Sequence, residues 1–236
     1  MKSIDSATAT FTYSGRDNLQ AMSEAHRYND FLQQLITVNA PASGTWLDFG
    51  AGAGQFAIPL KRAGHDVVAV EVDSVLCQGI ARQGLRTFDS LDKVPDDSVD
   101  YIYAMNVLEH ISEDGNALRL MHRKLRPGGR LLIYVPAFQG LYSSMDALVG
   151  HYRRYRRDGL RSLIAQAGFD VDRVAYADVV GYFASLVYKC LPGRDGTITP
   201  GSVALYDRWV FPVSRGLDRL ASPWLGKNVY AVAHKK

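Results

Sequence analysis

Residues 47–54 of the sequence read LDFGAGAG, and this stretch decides the fold. An apolar strand here ends in Asp48 and runs into a glycine-rich turn that opens a helix. Glycines allow backbone N–H groups to approach a ligand that any Cβ atom would push away. By itself the pattern fits both a ligand-binding turn and a plain tight turn between a strand and a helix. The neighbouring segments distinguish these two interpretations.

A second acidic residue ends the next apolar run, about 20 residues further along the chain. Residues 67–71 read VVAVE, so this run ends in Glu71. Doubly wound nucleotide-binding folds place a carboxylate at this point, where it accepts hydrogen bonds from ribose hydroxyls. The dinucleotide fingerprint GxGxxG is not matched, because Gln55 stands where its last glycine would be. The spacing therefore favours a nucleotide-like cofactor other than NAD.

Short apolar runs alternate with segments of helical period through most of the chain. This alternation is typical of a parallel sheet covered by helices on both faces. The predicted strands are residues 45–50, 67–72, 85–88, 99–105, 130–136, 171–177 and 229–233. We therefore predict an α/β fold with a doubly wound, Rossmann-like, mostly parallel seven-stranded sheet, an N-terminal helical extension and an insertion between the last two strands.

Capping residues predict where several helices begin and end. The opening helix is predicted to begin at Asp17. Later helices are predicted to begin after side-chain caps and to end before glycines. The predicted caps are Ser74, Ser112 and Asp158, and the predicted helix-ending glycines are Gly64 and Gly84.

The whole chain, residues 1–236, is predicted to be one domain. Its parts are a helical region at 1–44, a cofactor-binding core at 45–137, an acceptor-side connection with the sixth strand at 138–178, a helical lid or insertion at 179–226 and a final strand at 227–236.

The insertion carries apolar residues at helical spacing, and the sheet with its crossovers does not need it. These residues are Val179, Phe183, Leu186, Cys190, Leu205, Trp209, Val213, Leu217 and Leu220. Ordinary burial is the leading interpretation. A dimer surface or an apolar wall of the acceptor site would also fit, and Trp209, Phe211 and nearby arginines leave peripheral membrane contact as a further alternative.

Composition and charge exclude several classes of protein. The chain has 236 residues, 47% of them hydrophobic, which suffices for a buried core. Two cysteines cannot form a disulfide framework, so a reducing cytoplasm is the expected location. The N-terminus lacks the apolar core of a signal peptide, and no stretch is apolar for long enough to span a bilayer. A net charge of +3 makes nucleic acid an unlikely partner.

Two further motifs follow in order after the glycine-rich turn. Residues 100–111 read DYIYAMNVLEHI, and residues 125–133 read LRPGGRLLI. Together with LDFGAGAG and Glu71, these segments resemble class I S-adenosylmethionine-dependent methyltransferases, in particular the type 11/type 23-like bacterial group that acts on small molecules. The resemblance is weaker before residue 47 and after residue 136.

The resemblance implies a cofactor site at the ends of the strands. It assigns S-adenosylmethionine as the cofactor and S-adenosylhomocysteine as its product. The glycine turn would hold the methionine moiety, Glu71 the ribose, and the segment after residue 88 the adenine. The implied cofactor-binding residues are Asp48, Gly50, Ala51, Gly52, Gly54, Glu71, Val72, Asp89, Ser90, Leu91, Met105 and Asn106.

Two histidines are candidates for a general base, because imidazole titrates near neutral pH. They are His110, which could instead be a structural hydrogen-bonding residue, and His151. The candidate acceptor-binding residues are Tyr142, Tyr152, Arg153 and Arg154. For the arginines the alternative is a solvated start to the following helix. No metal is expected, because no His, Asp or Glu cluster of ligand spacing appears along the sequence.

The resulting hypothesis is in-line transfer of a methyl group to an oxygen, and less readily to a nitrogen or carbon, of a small-molecule or lipid-linked acceptor. Catalysis can then depend largely on positioning the nucleophile. The alternative is a regulatory or scaffold protein that binds S-adenosylmethionine without catalysis. A monomer and a homodimer fit the sequence equally.

Overall fold

The computed structural model describes residues 25–190 and 200–236, and in these ranges seven strands form one sheet. The strands are β1 Thr45–Phe49, β2 Asp66–Val70, β3 Arg86–Phe88, β4 Val99–Met105, β5 Leu125–Pro136, β6 Phe169–Ala177 and β7 Asn228–Lys235. Their order is β3-β2-β1-β4-β5-β7-β6. Only β7 runs antiparallel to its neighbours. The predicted doubly wound α/β fold is confirmed.

Helices cover both faces of the sheet. They are α1 His26–Asn39, α2 Ala57–Arg62, α3 Ser74–Arg82, α4 Asp114–Lys124, α5 Ser144–Leu148, α6 Arg157–Gln166, α7 Val179–Cys190, α8 Pro200–Leu205 and α9 Phe211–Ala221. Short 3-10 turns lie at Leu91–Lys93, Leu108–His110 and Gln139–Leu141, and a π turn at Tyr206–Val210 joins α8 to α9. The predicted helix start at Asp17 lies outside the described residues.

The hydrophobic core has two layers, one on each face of the sheet. Successive residues of a strand point to opposite faces, so neighbours in β4 belong to different layers. Ile102 packs in the layer that contains Leu47 and Ile133, whereas Tyr101 and Tyr103 pack in the other. All five side chains are fully buried, as expected for strands covered on both sides.

The predicted helix caps were wrong for three helices, whereas the predicted glycine stops hold. Asp73 caps α3 instead of Ser74, because its carboxylate accepts the backbone N–H groups of the next turn at 3.0 and 3.2 Å. Ser112 and Asp158 also do not occupy the cap positions of α4 and α6. The helix-ending glycines, Gly64 and Gly84, have φ of +96° and +82°.

The helices between β6 and β7 are anchored in the body of the protein. Phe211 is buried against Phe31 of α1. Asp207 accepts hydrogen bonds from the backbone N–H groups of Arg27 and Tyr28 at 2.9 and 2.8 Å. The helices between β6 and β7 therefore complete the second core layer, which corrects the view that the core does not need them.

The prediction of ordinary burial is also wrong for most of the apolar residues at helical spacing in this segment. Val179 is buried, but the others with described side chains are 40% to 76% exposed. These are Phe183, Leu186, Leu205, Trp209, Val213, Leu217 and Leu220. Phe211, expected at a membrane contact, is buried instead. Across the described ranges, no helix combines the length and the apolar character needed to cross a bilayer.

Candidate active site

Four neighbouring strands end at the same edge of the sheet, and the predicted cofactor residues follow those ends. In the order β3-β2-β1-β4, the strands lead into Asp89, Glu71, Gly50 and Asn106. Backbone hydrogen bonds join the ends, for example from the Gly50 N–H to the Val70 carbonyl at 2.9 Å. In open α/β sheets, ligands bind in the crevice outside these carboxyl ends.

The glycine turn after β1 has a conformation that other residues rarely adopt. Gly50, Gly52 and Gly54 have φ of +75°, +56° and +82°. A Cβ atom on Gly50 would lie 2.6 Å from Cγ2 of Val107, in the turn after β4. The close approach of these two turns therefore requires glycine at position 50.

Glu71 joins the glycine turn to the end of β2. Its side chain is mostly buried. Its Oε2 accepts the Gly52 N–H at 2.7 Å and its Oε1 accepts the Asp73 N–H at 2.8 Å. Burial raises the pKa of Glu71. Each carboxylate oxygen keeps a second lone pair, so Glu71 can still accept hydrogen bonds from vicinal hydroxyls.

Asp48 is the buried acid of this site. Its Oδ2 has no hydrogen-bond partner in the described part of the chain, although the side chain is only 2% exposed. Burial raises the pKa of Asp48 to about 7. An orphaned buried oxygen normally marks a place for a donor that is not yet present. Asp48 with the glycine turn therefore fits a cofactor that carries an ammonium group.

The remaining predicted cofactor residues lie at the same edge with different exposures. Leu91 and Met105 are buried, whereas Val72 is 57% exposed. Asp89 is exposed and pairs with Lys93 at 2.6 Å. Ser90 Oγ accepts the Asp92 N–H and so caps the turn after β3. Asn106 has φ of +55°, and its N–H donates to the Tyr134 carbonyl.

A second group of polar side chains lies beyond the end of β4. Glu109, His110 and His151 each place one potential ligand atom within 4.8 Å of the others. His151 Nε2 is 3.9 Å from Glu109 Oε1. The Tyr152 N–H donates to the Glu109 carbonyl at 2.8 Å, which holds the segment of His151 against the turn after β4. The sequence separates His151 from the other two residues, so spacing along the chain did not reveal this cluster.

Burial controls the protonation of Glu109 and His110. Both carboxylate oxygens of Glu109 are buried and have no hydrogen-bond partner within the described ranges. Burial raises the pKa of Glu109 to about 8 and lowers the pKa of His110 to about 4. Both side chains are therefore predominantly neutral at pH 7. His110 hydrogen-bonds to the backbone of Val149 and Gly150, which favours the structural alternative for this residue.

Asp146 fixes the tautomer of His151. Its Oδ1 lies 2.7 Å from His151 Nδ1, and Arg154 donates to both carboxylate oxygens at 2.9 Å. Burial alone would raise the pKa of Asp146, but the hydrogen bonds from His151 and Arg154 hold it well below its ordinary value. An ionised carboxylate only accepts hydrogen bonds, so Nδ1 carries the proton. The other ring nitrogen, Nε2, lies on the side of Glu109 and is the nitrogen that can accept a proton in this tautomer.

The other predicted acceptor residues surround this pair. The Tyr142 hydroxyl donates to the His151 carbonyl at 2.7 Å, and Tyr152 is 59% exposed. Arg153 donates to Asp114 Oδ2 at 3.0 Å and to the Ser112 carbonyl at 2.7 Å. Arg154 is nearly buried, so it is not part of a solvated helix start.

Sequence reasoning assigned no role to Glu109 and did not pair Asp146 with His151, although both acids belong to the cluster around His151. Glu109 was visible in the motif at 100–111, next to His110. Asp146 gave a weaker signal, because it lies five residues before His151 in a segment without strong periodicity.

Comparisons with known proteins point to one family. A family model described as a methyltransferase domain matches residues 21–174. An uncharacterised methyltransferase of Mycobacterium sp. (strain KMS) is 32% identical over 126 residues, which make up 51% of this chain and 50% of that protein. An uncharacterised methyltransferase of Bacillus subtilis (strain 168) is 29% identical over 178 residues, covering 69% of this chain and 70% of that protein. The chain thus spans about half the length of the mycobacterial relatives.

Solved structures share the fold over nearly the whole chain. A crystal structure from Thermotoga maritima, described as a methyltransferase dependent on S-adenosylmethionine and a possible histamine N-methyltransferase, has a TM-score of 0.66. Its sequence is 15% identical, and the match covers 94% of this chain and 98% of that one. At this identity the likeness shows the fold alone.

Proposed function

The chain belongs to the methyltransferase domain family, and we propose that it moves a methyl group from S-adenosylmethionine to an oxygen atom of a small-molecule or lipid-linked acceptor. The observation that carries the choice of oxygen is the Asp146–His151 pair at 2.7 Å. A hydroxyl nucleophile gains from losing its proton during transfer, and the pair provides a base for that proton.

S-adenosylmethionine supplies a methyl group that is already electrophilic because it is bonded to a sulfonium. His151 Nε2 takes the hydroxyl proton of the acceptor as the new bond from oxygen to carbon forms and the bond from carbon to sulfur breaks. Asp146 stabilises the imidazolium that results, since it already holds the proton on Nδ1. Catalysis otherwise depends on in-line positioning of the acceptor.

Arg154 acts in this proposal through Asp146, because its guanidinium is nearly buried on that carboxylate. Arg153, Tyr142 and Tyr152 line the acceptor side, where the exposed Tyr152 ring is the most accessible contact. A hydroxylated or anionic head group would suit these donors.

The test is a search for a labelled product. The protein is incubated with S-adenosylmethionine carrying a deuterated methyl group, and with the lipid and the water-soluble fractions of a cell extract in turn. Mass spectrometry should find a labelled methyl on an oxygen of an acceptor from one fraction. A protein that binds the cofactor in calorimetry but labels nothing in either fraction would be a non-catalytic binding protein.

Cofactor affinity should depend on pH through Asp48. The pKa of Asp48 in the free protein is about 7, and a bound ammonium group favours the carboxylate. Below pH 7, cofactor binding must therefore release a proton from Asp48. We expect the affinity for the cofactor to fall by about tenfold for each pH unit that the pH is lowered below 7. Calorimetry in two buffers of different ionisation enthalpy measures both the affinity and the proton release.

The control for this prediction is Asp48→Asn, which cannot ionise. Its affinity should be weaker at pH 8 and nearly independent of pH between 6 and 8. An equal pH slope in both proteins would assign the dependence to another group, such as Glu71.

Turnover is expected to survive chelation by EDTA. The cluster of Glu109, His110 and His151 could in principle hold an ion, but the buried Arg154 guanidinium already places a positive charge beside Glu109. Burial also raises the pKa of Glu109 to about 8, so its carboxyl would have to lose a proton before it could bind an ion. The measurement compares methyl transfer before EDTA treatment, after it, and after adding back magnesium or zinc. Loss of turnover that one of these ions restores would contradict the prediction.

A further inference from the structure

The helices between β6 and β7 present an exposed apolar face. It consists of Phe183 and Val187 on α7, Trp209 on the π turn, and Val213, Leu217 and Leu220 on α9, which are 49% to 76% exposed. On the π turn and α9 these residues follow one another at intervals of four, four and three, which places them on one side of the helix. Neighbouring α7 packs against α9. Large apolar side chains this exposed, on one side of a helix and on the helix packed beside it, normally mark an interaction surface.

The opposite side of the same helix is buried and, apart from Phe211, polar. Asp207, Phe211, Ser214 and Asp218 point into the protein. Asp218 accepts the backbone N–H groups of Asp178 and Val179 at 3.0 and 2.9 Å. An ordinary surface helix turns its apolar stripe toward the core. This helix instead turns most of its apolar stripe toward the surface. Because the buried polar groups are hydrogen-bonded, this orientation is a stable feature of the fold.

The exposed charges that the segment between β6 and β7 itself contributes have one sign in its described residues. Lys189, Arg208 and Arg219 are exposed, and the Arg208 guanidinium lies 5.2 Å from the ring centre of Trp209. Among the described residues from 179 to 227, the only carboxylates are Asp207 and Asp218, and both are buried. The face therefore presents apolar side chains with a cationic rim and no exposed anion in that part of the chain.

We propose that this apolar face docks the protein on the surface of a membrane that contains anionic lipids. Exposed tryptophan and aliphatic side chains insert at the boundary between head groups and acyl chains, and arginines pair with the anionic head groups. A second copy of the chain fits less well. A two-fold dimer through this face would bring two cationic rims together with no exposed carboxylate of the face to pair with them.

The proposed docking surface adjoins the acceptor side of the active site. Lys189 at the end of α7 donates to the Gly140 carbonyl at 2.7 Å, and the Tyr182 ring packs edge-on against Phe138 at 5.3 Å. Both contacts lie at the start of the connection that carries His151. A docked protein would thus hold this connection near the lipid surface, but docking itself does not depend on which acceptor is methylated.

Vesicle sedimentation tests the proposal with the full chain. The vesicles are phosphatidylcholine alone or phosphatidylcholine mixed with phosphatidylglycerol. We expect the protein to sediment with the mixed vesicles, and binding to weaken as salt is raised. The double variant Trp209→Ser, Leu217→Ser should bind at least about tenfold more weakly. The charge variant Arg208→Glu, Arg219→Glu should lose its preference for the anionic vesicles.

The matched control is Val38→Ser, Val75→Ser. It removes two apolar residues elsewhere on the surface that are about as exposed as Trp209 and Leu217. It should bind vesicles like the unmodified protein, and circular dichroism with cofactor calorimetry should show that all variants are folded. Equal sedimentation of the Trp209 variant and the control would overturn the proposal, as would failure of the unmodified protein to bind the mixed vesicles. A dimer in analytical ultracentrifugation that the Trp209 variant abolishes, without vesicle binding, would assign the face to a second copy.

Discussion

Replacing His151 with glutamine is expected to lower turnover by about 10²- to 10⁴-fold, the usual range for loss of a general base. Glutamine keeps much of the side-chain volume but cannot accept a proton near neutral pH. Cofactor affinity should stay unchanged, because His151 is absent from the residues at the ends of β1, β2 and β3. Initial rates of labelled methyl transfer, paired with calorimetry of cofactor binding, measure the two effects separately.

The pH dependence of the remaining turnover and a control variant distinguish a lost base from a disturbed fold. The remaining turnover of the His151→Gln variant should rise with pH, since hydroxide then replaces the base, and a structural defect would not show this rise. The matched control is His122→Gln. His122 lies in the last turn of α4 and packs against Phe169 at the start of β6, so this variant should behave like the unmodified protein. A His151 variant that keeps full turnover would remove His151 from the mechanism.

Replacing Glu71 with alanine is expected to weaken cofactor binding by about 1.5 to 3 kcal/mol, or roughly 10- to 150-fold. The substitution removes a carboxylate that can accept two ribose hydroxyls. It also removes the partner of the Gly52 and Asp73 N–H groups, so the glycine turn should lose part of its order. Titration calorimetry measures the affinity.

The control is Glu113→Ala, which removes an exposed carboxylate at the start of α4. Glu71→Gln supplies a second comparison, because the amide oxygen can still accept one hydrogen bond, and an intermediate affinity is expected. Unchanged affinity in a folded Glu71→Ala variant would mean that the ribose lies elsewhere.

The strand ends that carry the proposed cofactor residues could be predicted, because their determinants are local in sequence. A glycine turn after β1 and an acid after β2 both follow strand ends, and adjacent parallel strands bring their carboxyl ends to one edge. The strand positions were predictable for the same reason, since buried parallel strands read as apolar runs. Helix caps were predicted less well, because Asp73 and Ser74 compete for one position and only the backbone geometry selects between them.

The cluster around His151, on the proposed acceptor side, required the tertiary structure. Glu109 and His151 lie 42 positions apart, and a backbone hydrogen bond from Tyr152 holds their segments together. The apolar spacing of α9 was visible in the sequence, but periodicity shows only that a helix has two different sides. Which side faces inward was decided by Asp207 and Asp218, whose partners are backbone N–H groups far away in the sequence. The sequence alone thus determined the sheet and the ends of its strands. The tertiary structure decided the meeting of Glu109 with His151 and the exposed apolar face, because both depend on hydrogen bonds between distant segments.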